Sequence, residues 1–344
     1  MNRRKFINQS FSAYLGWSLA NSYPVSENKK LPITFDLHCH PGRIFALGTK
    51  DAGDPSKTIS DMNAGQLSGA FFALVADAGI ISVGATGVNV TGKYQSGEGW
   101  HEYKRQLNEI KAYLHTSGIH QSIYTKDLKS KKLQAYLSVE GGDFLEGSIE
   151  RIDEAYHDGI RSIQLVHYAP NDLGDLQTAA VSFNGLSDFG KNTVKKMNTI
   201  GMLIDVAHAS YETTKAVSDI TSSPIMLSHS ILAMEPDRPI GRRAITKEHA
   251  IAVAKTGGII GAWPSGFNKS FDEYGDNVLR LIDAVGIDHV SIGTDMDANF
   301  KPVLDNYRQL SDLKSLLVKK GLHDHEADQV LGGNAERVMK KVIG

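Results

Sequence analysis

From about residue 33 to the end of the chain, short apolar runs alternate with longer stretches in which apolar positions recur every three or four residues. Apolar runs of four to eight residues read as buried strands, and the longer period reads as amphipathic helix. The pattern predicts eight strands, at 33–37, 70–75, 134–139, 161–166, 201–205, 224–228, 257–261 and 289–293. It predicts helices between most of them, at 99–115, 148–158, 186–199, 210–219, 246–255 and 275–285. Gly159, Gly201 and Gly286 follow helical runs, where left-handed C-caps belong. The run 70–75, AFFALV, has the weakest strand signal, because it could also open a helix. Strands that alternate with helices imply a parallel sheet. Eight such units over this length predict a (β/α)₈ barrel, with residues 31–344 as one domain. Two further helical stretches, 307–320 and 324–342, are expected on the outside of the barrel.

Composition narrows the class. Lys and Arg number 37 against 39 Asp and Glu, a net charge of −2. That balance gives no electrostatic case for nucleic acid or for an anionic membrane surface. No apolar run reaches the roughly 18 residues of a spanning helix. One cysteine, Cys39, excludes an internal disulfide.

The first twenty residues read as an export signal. Asn2-Arg3-Arg4-Lys5-Phe6-Ile7 supplies a positive start, Phe11 to Leu19 a mildly apolar stretch, and Ser18-Leu19-Ala20 a small-residue cleavage site. The Arg3-Arg4 pair resembles the twin-arginine signal, which implies a periplasmic protein. The competing reading is a basic amphipathic helix on a cytoplasmic protein. Residues 21–30 read as a linker.

The informative chemistry lies at the strand ends. His38 and His40 close the first strand, Glu140 the third, His167 the fourth, His208 the fifth, His229 the sixth and Asp295 the eighth. A parallel barrel gathers these ends on one face, where barrel enzymes place their sites. Imidazole with carboxylate is the ligand chemistry of zinc and similar divalent ions. Alternate residues of a strand share a face, so His38 and His40 can point inward while Cys39 points away. Glu140 is placed to bridge two ions, with His208 and His229 on the second. Two divalent ions about 3.5–4 Å apart would share a bridging hydroxide, a strong nucleophile at neutral pH.

These segments resemble the membrane dipeptidase, or renal dipeptidase, family of metallopeptidases, peptidase family M19, whose fold is an amidohydrolase-type barrel. The residues that carry the resemblance are Asp36-Leu37-His38-Cys39-His40, Val139-Glu140-Gly141-Gly142, Gly185-Leu186-Ser187-Asp188-Phe189-Gly190, the run Gly201 to His208, Ser228-His229-Ser230 and Gly293-Thr294-Asp295-Met296-Asp297. The resemblance implies a dipeptidase with two divalent ions, zinc first among them. It implies that His38 and His40 bind the first ion, with Asp295 beside it handling protons. Glu140 bridges, and His208 and His229 bind the second ion. His167 polarises the scissile carbonyl. An arginine after the sixth strand binds the substrate carboxylate; Arg243 fits better than Arg242. Asp297, two residues from Asp295, is the rival proton carrier. The expected partners are a small dipeptide and a second copy of the chain.

Two departures stand out. Many members of that family have H-x-D where this chain has His38-Cys39-His40, which makes the site one negative charge poorer. The segment Ala262-Trp263-Pro264-Ser265-Gly266-Phe267 also differs from the expected pattern. Competing functions are hydrolysis of another small amide, lactam or lactone, and a barrel that binds a small molecule without turning it over.

Overall fold

All eight predicted strands form, displaced by a few residues at most. In the computed structural model, which describes residues 32–84, 87–233 and 241–344, they are β1 (Phe35–Cys39), β2 (Gly69–Val75), β3 (Gln134–Glu140), β4 (Ile160–Gln164), β5 (Leu203–Asp205), β6 (Met226–Leu232), β7 (Ile259–Ala262) and β8 (Val290–Ile292). Neighbours in sequence pair in parallel, β8 pairs with β1 through Ile292 and Asp36, and β5 closes on β6 through Asp205 and Met226. The result is a closed (β/α)₈ barrel. The proposed export segment 1–20 and linker 21–30 lie outside the described residues; Pro32–Gly344 form one compact unit.

The doubtful run 70–75 is a strand because both its faces are buried. Phe71 packs inward against Phe35 and Tyr136 in edge-on contacts, while Phe72 belongs to the layer between barrel and helices. A strand covered on both faces shows no polar alternation, which is why its pattern resembled a helix start. β2 pairs with β3 over seven residues, from Gly69–Gln134 to Val75–Glu140. That register carries Glu140 to the C-terminal rim.

The predicted helices are α2 (Glu98–Thr116), α3 (Glu150–His157), α4 (Asp188–Ile200), α5 (Tyr211–Ile220), α6 (Lys247–Lys255) and α7 (Phe271–Val285), preceded by α1 (Ser56–Ala64), which the pattern did not reveal. The Ser187 hydroxyl accepts from the Gly190 amide at 2.9 Å to start α4, and Gly201, at φ 74°, ends it. Among the described residues, no helix is long and apolar enough to cross a membrane.

One expectation needs correction. The stretch 307–320 becomes α8 (Leu310–Lys319) after a short turn and packs against α7, on the outside as expected. The stretch 324–342 divides into α9 (Asp324–Asp328) and α10 (Asn334–Val342), separated by a wide turn over Gln329–Gly333. α10 is not an outer helix. Its Ala335, Val338 and Met339 pack with Phe35, Phe71, Tyr136, Leu203, Met226 and Ile259, the residues that begin the strands. It plugs the N-terminal end of the barrel, so the open end is the one that carries the histidines.

Candidate metal centre

The strand geometry brings every predicted ligand to one point. His38 and His40 lie on one face of β1, with their Nε2 atoms 3.0 Å apart. Cys39 turns away and donates its thiol to the Phe71 carbonyl at 3.3 Å. Glu140 sits at the centre. Its Oε1 lies 3.4 Å from the Nε2 of His38, 3.4 Å from that of His167, 3.5 Å from His208 and 3.9 Å from His229. Its Oε2 lies 3.3 Å from the Nε2 of His40, which is itself 3.4 Å from Asp295 Oδ1. The Nε2 atoms of His208 and His229 are 3.1 Å apart. Donor atoms fall into three overlapping groups, His38–His40–Asp295, His38–Glu140–His229 and Glu140–His167–His208.

Two of these residues hold unusual backbone. His208 has φ 65° and Asp295 φ 53°, a left-handed conformation that costs energy in a residue with a Cβ. Each follows its strand by three residues, and the reversal turns the side chain back over the barrel mouth. The Asp295 amide donates to the His38 carbonyl at 2.8 Å and ties the β8 rim to β1.

The electrostatics fit a divalent cation. Burial alone would raise the Glu140 carboxyl, but the imidazoles of His167 and His38 hold it well below the usual range, so it stays ionised. Burial pushes His208 and His229 well below 6.5, so both are neutral and present a lone pair. His40 goes the other way: burial opposes its charge, yet Asp295 and Glu140 push it up to about 10. Two carboxylates that raise the proton affinity of one nitrogen define a place that favours positive charge, and a metal ion supplies more of it. His40 Nδ1 lies 3.1 Å from the Ala73 carbonyl and His229 Nδ1 lies 3.0 Å from Ser228 Oγ. Such outer contacts fix ring orientation and leave Nε2 for a metal.

The sequence reading missed three acids that brace this arrangement. Asp77, fully buried after β2, accepts from His167 Nδ1 at 2.7 Å and from the amides of Tyr168 and Ala169 at 3.1 and 2.9 Å. Burial opposes charge on His167, but Asp77 and Glu140 raise its pKa above the ordinary value. Asp36 accepts from Thr294 and from the Tyr307 hydroxyl, at 2.6 Å for the latter, and so locks β1 to the segment before Asp295. Asp143 is half-buried near Asp77; desolvation and that neighbouring carboxylate push it up to about 7. For Asp77 and Asp143 the only signal in the sequence was an isolated acid beside an apolar run; Asp36 lay within the segment Asp36 to His40, which carries no mark of its contacts with Thr294 and Tyr307.

A cavity of about 610 Å³ opens over the cluster, with His40, Glu140, His167, Arg243, Trp263 and Asp295 in its lining. Arg243 is buried, donates to Gln177 Oε1 at 2.8 Å and lies 5.6 Å from the Trp263 ring centroid. Arg242 is exposed and donates to the Thr178 carbonyl at 3.3 Å, whereas Arg243 lines the cavity. The Trp263 ring is 5.9 Å from that of His229, and through this residue the unusual segment 262–267 reaches the cavity wall. Asp297 is turned away from the cluster. Its Oδ2 accepts from the Gly42 amide and the Thr58 hydroxyl, each at 2.5 Å, and pins the loop after β1 to α1.

A family model described as membrane dipeptidase (peptidase family M19) matches residues 50–343. A dipeptidase from Clonostachys rogersoniana is 30% identical over 222 residues, 62% of this chain and 56% of that protein. An uncharacterized dipeptidase from Schizosaccharomyces pombe is 26% identical over 227 residues, 61% of this chain and 53% of that protein. The matched region thus spans about half the length of these curated relatives. Among solved structures, a probable dipeptidase from Pseudomonas aeruginosa superposes with a TM-score of 0.75 at 17% identity, covering 91% of this chain and 96% of that one. A metallo peptidase from Rhodobacter sphaeroides, liganded with a phosphinate mimic of the dipeptide L-Ala-D-Ala, gives 0.74 at 15% identity, covering 90% and 99%. At these identities the structural likeness establishes the fold.

Proposed function

The chain belongs to the membrane dipeptidase family, peptidase family M19, and on that premise we propose that it is a metal-dependent dipeptidase with two divalent ions, zinc being the first candidate. The observation that carries the reading is the convergence of five imidazole Nε2 atoms on Glu140, with Asp295 beside them and Arg243 in the wall of one cavity. His38, His40 and Glu140 would hold one ion; Glu140, His208 and His229 would hold the other. When bound, the ions supply Lewis-acid polarisation of a carbonyl and a water that is activated at neutral pH.

The remaining steps belong to the chain's own side chains. The buried Arg243 guanidinium holds the substrate's C-terminal carboxylate by charge-assisted hydrogen bonds and so sets the scissile bond over Glu140. The Asp77 carboxylate accepts the Nδ1 hydrogen bond of His167 and favours the protonated ring, which keeps a proton on Nε2 to face the developing oxyanion. Asp295 Oδ1 takes the proton of the attacking water and delivers it to the departing amine. The cavity walls, Trp263 and Phe45 among them, limit access of bulk water. The Arg3-Arg4 segment supports export to a periplasm as part of the same reading. Cell fractionation tests the location.

Metal content by mass spectrometry, combined with a panel of dipeptides and cyclic amides, tests the activity. About two equivalents of divalent metal and selective cleavage of dipeptides are expected. Glu140→Gln should lower both occupancies and abolish turnover. One equivalent, unchanged by that substitution, would remove the bridging role, and turnover of lactams alone would move the substrate class.

A further inference from the structure

One wall of the cavity takes no part in the steps of hydrolysis. On the β1 side, beyond His40, the wall is built by the loop Pro41–Ala46 and by a two-stranded hairpin, Ile81–Gly84 with Gly87–Val90. The Phe45 ring meets the His40 ring edge-on at 5.3 Å between centroids. The Arg43 guanidinium lies 5.5 Å from the Phe45 centroid, and Val83 and Val88 of the hairpin line the same cavity. Arg43 is therefore one aromatic ring away from the metal centre, on the wall that follows β1 and not on the β6–β7 wall that Arg243 and Trp263 occupy.

Arg43 differs from the other arginine on this wall. Arg105 is neutralised by Glu102 at 2.6 Å and donates to the Leu47 and Phe45 carbonyls. Arg43 is exposed, and among the described residues its guanidinium has neither an ion pair nor a hydrogen-bond partner. Asp51 lines the cavity too but forms no ion pair with it. The Arg43 backbone is left-handed, φ 57° and ψ 51°, a conformation suited to glycine. It is held there by its amide on the His40 carbonyl at 2.7 Å, the Gly42 amide on Asp297, and the Gly53 amide on the Gly42 carbonyl at 3.1 Å. A strained residue that its surroundings over-determine, carrying an unmatched cation into the cavity, is a candidate recognition group. An arginine that served only solubility would need neither the strain nor the cavity.

We propose that Arg43 selects dipeptides whose N-side residue carries an acidic side chain. This inference rests on the dipeptidase reading. With the C-terminal carboxylate on Arg243 and the scissile bond over Glu140, the N-side residue extends past His40 toward the β1 loop. A glutamyl side chain would lay its methylenes on Phe45 and the hairpin valines and present its carboxylate to the guanidinium, which suits a planar bidentate acceptor. A lysyl side chain in the same place would meet like charge.

The test is a ratio of kcat/KM between isosteric substrates, so that any partial loss of folded enzyme cancels. In the metal-loaded parent protein, Glu-Ala should exceed Gln-Ala by about tenfold, the size of one charge-assisted hydrogen bond in a partly sheltered site. The ratio should fall toward one in Arg43→Gln and at high salt. In Arg43→Glu the preference should pass to Lys-Ala. Parent ratios near one, or a ratio that Arg43→Glu leaves untouched while Ala-Ala is still cleaved, overturn the role of Arg43 and leave the dipeptidase reading standing. An Arg43-dependent preference for Ala-Glu over Ala-Gln instead places the acidic side chain on the C-side and overturns the proposal. Cleavage of no dipeptide overturns both.

Discussion

The two ends of the barrel are built from the same strands and obey opposite rules. At the N-terminal end, Phe35, Phe71 and Tyr136 meet edge-on, and α10 covers them with Ala335, Val338 and Met339. Three residues further along β1 comes His38, and just past its far end His40, within a cluster where every group is polar and buried. The apolar end is satisfied by contact alone: dispersion and release of water stabilise it in any ionic state. The polar end is satisfied only if each donor finds an acceptor and the collected lone pairs find a cation. Stability therefore resides at one end and chemistry at the other, and substitutions at the two ends should separate the two properties.

The largest effect is expected at the polar end. Asp295→Asn keeps the shape of the side chain but removes its capacity to carry a proton. A loss of about 10²–10⁴-fold in kcat is expected, with KM and melting temperature changed less. Asp297→Asn is the control two residues on. Its carboxylate only ties Gly42 to Thr58, and an amide oxygen can still accept from both. Steady-state kinetics decide between them: a silent Asp295→Asn beside a dead Asp297→Asn would move the proton carrier by two residues.

At the apolar end the expected loss is of stability. Phe71 is fully buried among Phe35 and Tyr136, so Phe71→Ala leaves a cavity and should cost about 3–5 kcal/mol. Chemical denaturation measures it. Metal stoichiometry and the KM of the remaining folded protein should stay at parent values. A shift in metal content would show that the two ends are coupled through β2 and β3, and that the separation drawn above fails.

The same contrast explains what was legible in the sequence. Short hydrophobic runs reported all eight strands, because burial on both faces leaves a continuous apolar signature. The ligands were legible because polar residues at the ends of such runs are conspicuous against them. The role of α10 was not, since an amphipathic helix has the same pattern whether it covers the side of a barrel or its end. Asp77 and Asp36 were not, because each acts through contacts with residues 90 or more positions away, His167 for the first and Thr294 for the second. The side-chain period of two did establish that His38 and His40 face one point and Cys39 does not. It could not decide between Asp295 and Asp297, because the strand ends at Ile292 and left-handed backbone at both residues breaks the alternation.

Acid should act on the polar end and its flank and leave the plug intact, and the smallest expected effect tests this. The apolar cluster contains no histidine or carboxylate; its tyrosine, Tyr136, is pushed upward by burial and stays neutral. The flank of the polar end contains His249 on α6, buried with its Nε2 2.8 Å from Thr214 Oγ1 of α5. Burial first, and the charge of Arg243 second, lower its pKa from 6.5 to about 4. The unfolded chain takes up this proton near pH 6.5 while the folded chain refuses it until about pH 4. Between those values the unfolded state binds more protons, so stability is complete above pH 6.5 and is lost as the pH falls. The loss amounts to about 2 kcal/mol at pH 5, which is roughly 4 °C in Tm for a chain of this size. His249→Gln keeps a donor at similar reach and removes the titration. Its Tm should lie below that of the parent protein at pH 7.5, and the gap should narrow by roughly that amount by pH 5. Protonation at the metal centre affects both proteins equally and drops out of the difference. A gap that stays constant from pH 7.5 to 5 would show that His249 does not titrate in this window, and that the acid sensitivity of the polar end resides in the cluster around Glu140 alone.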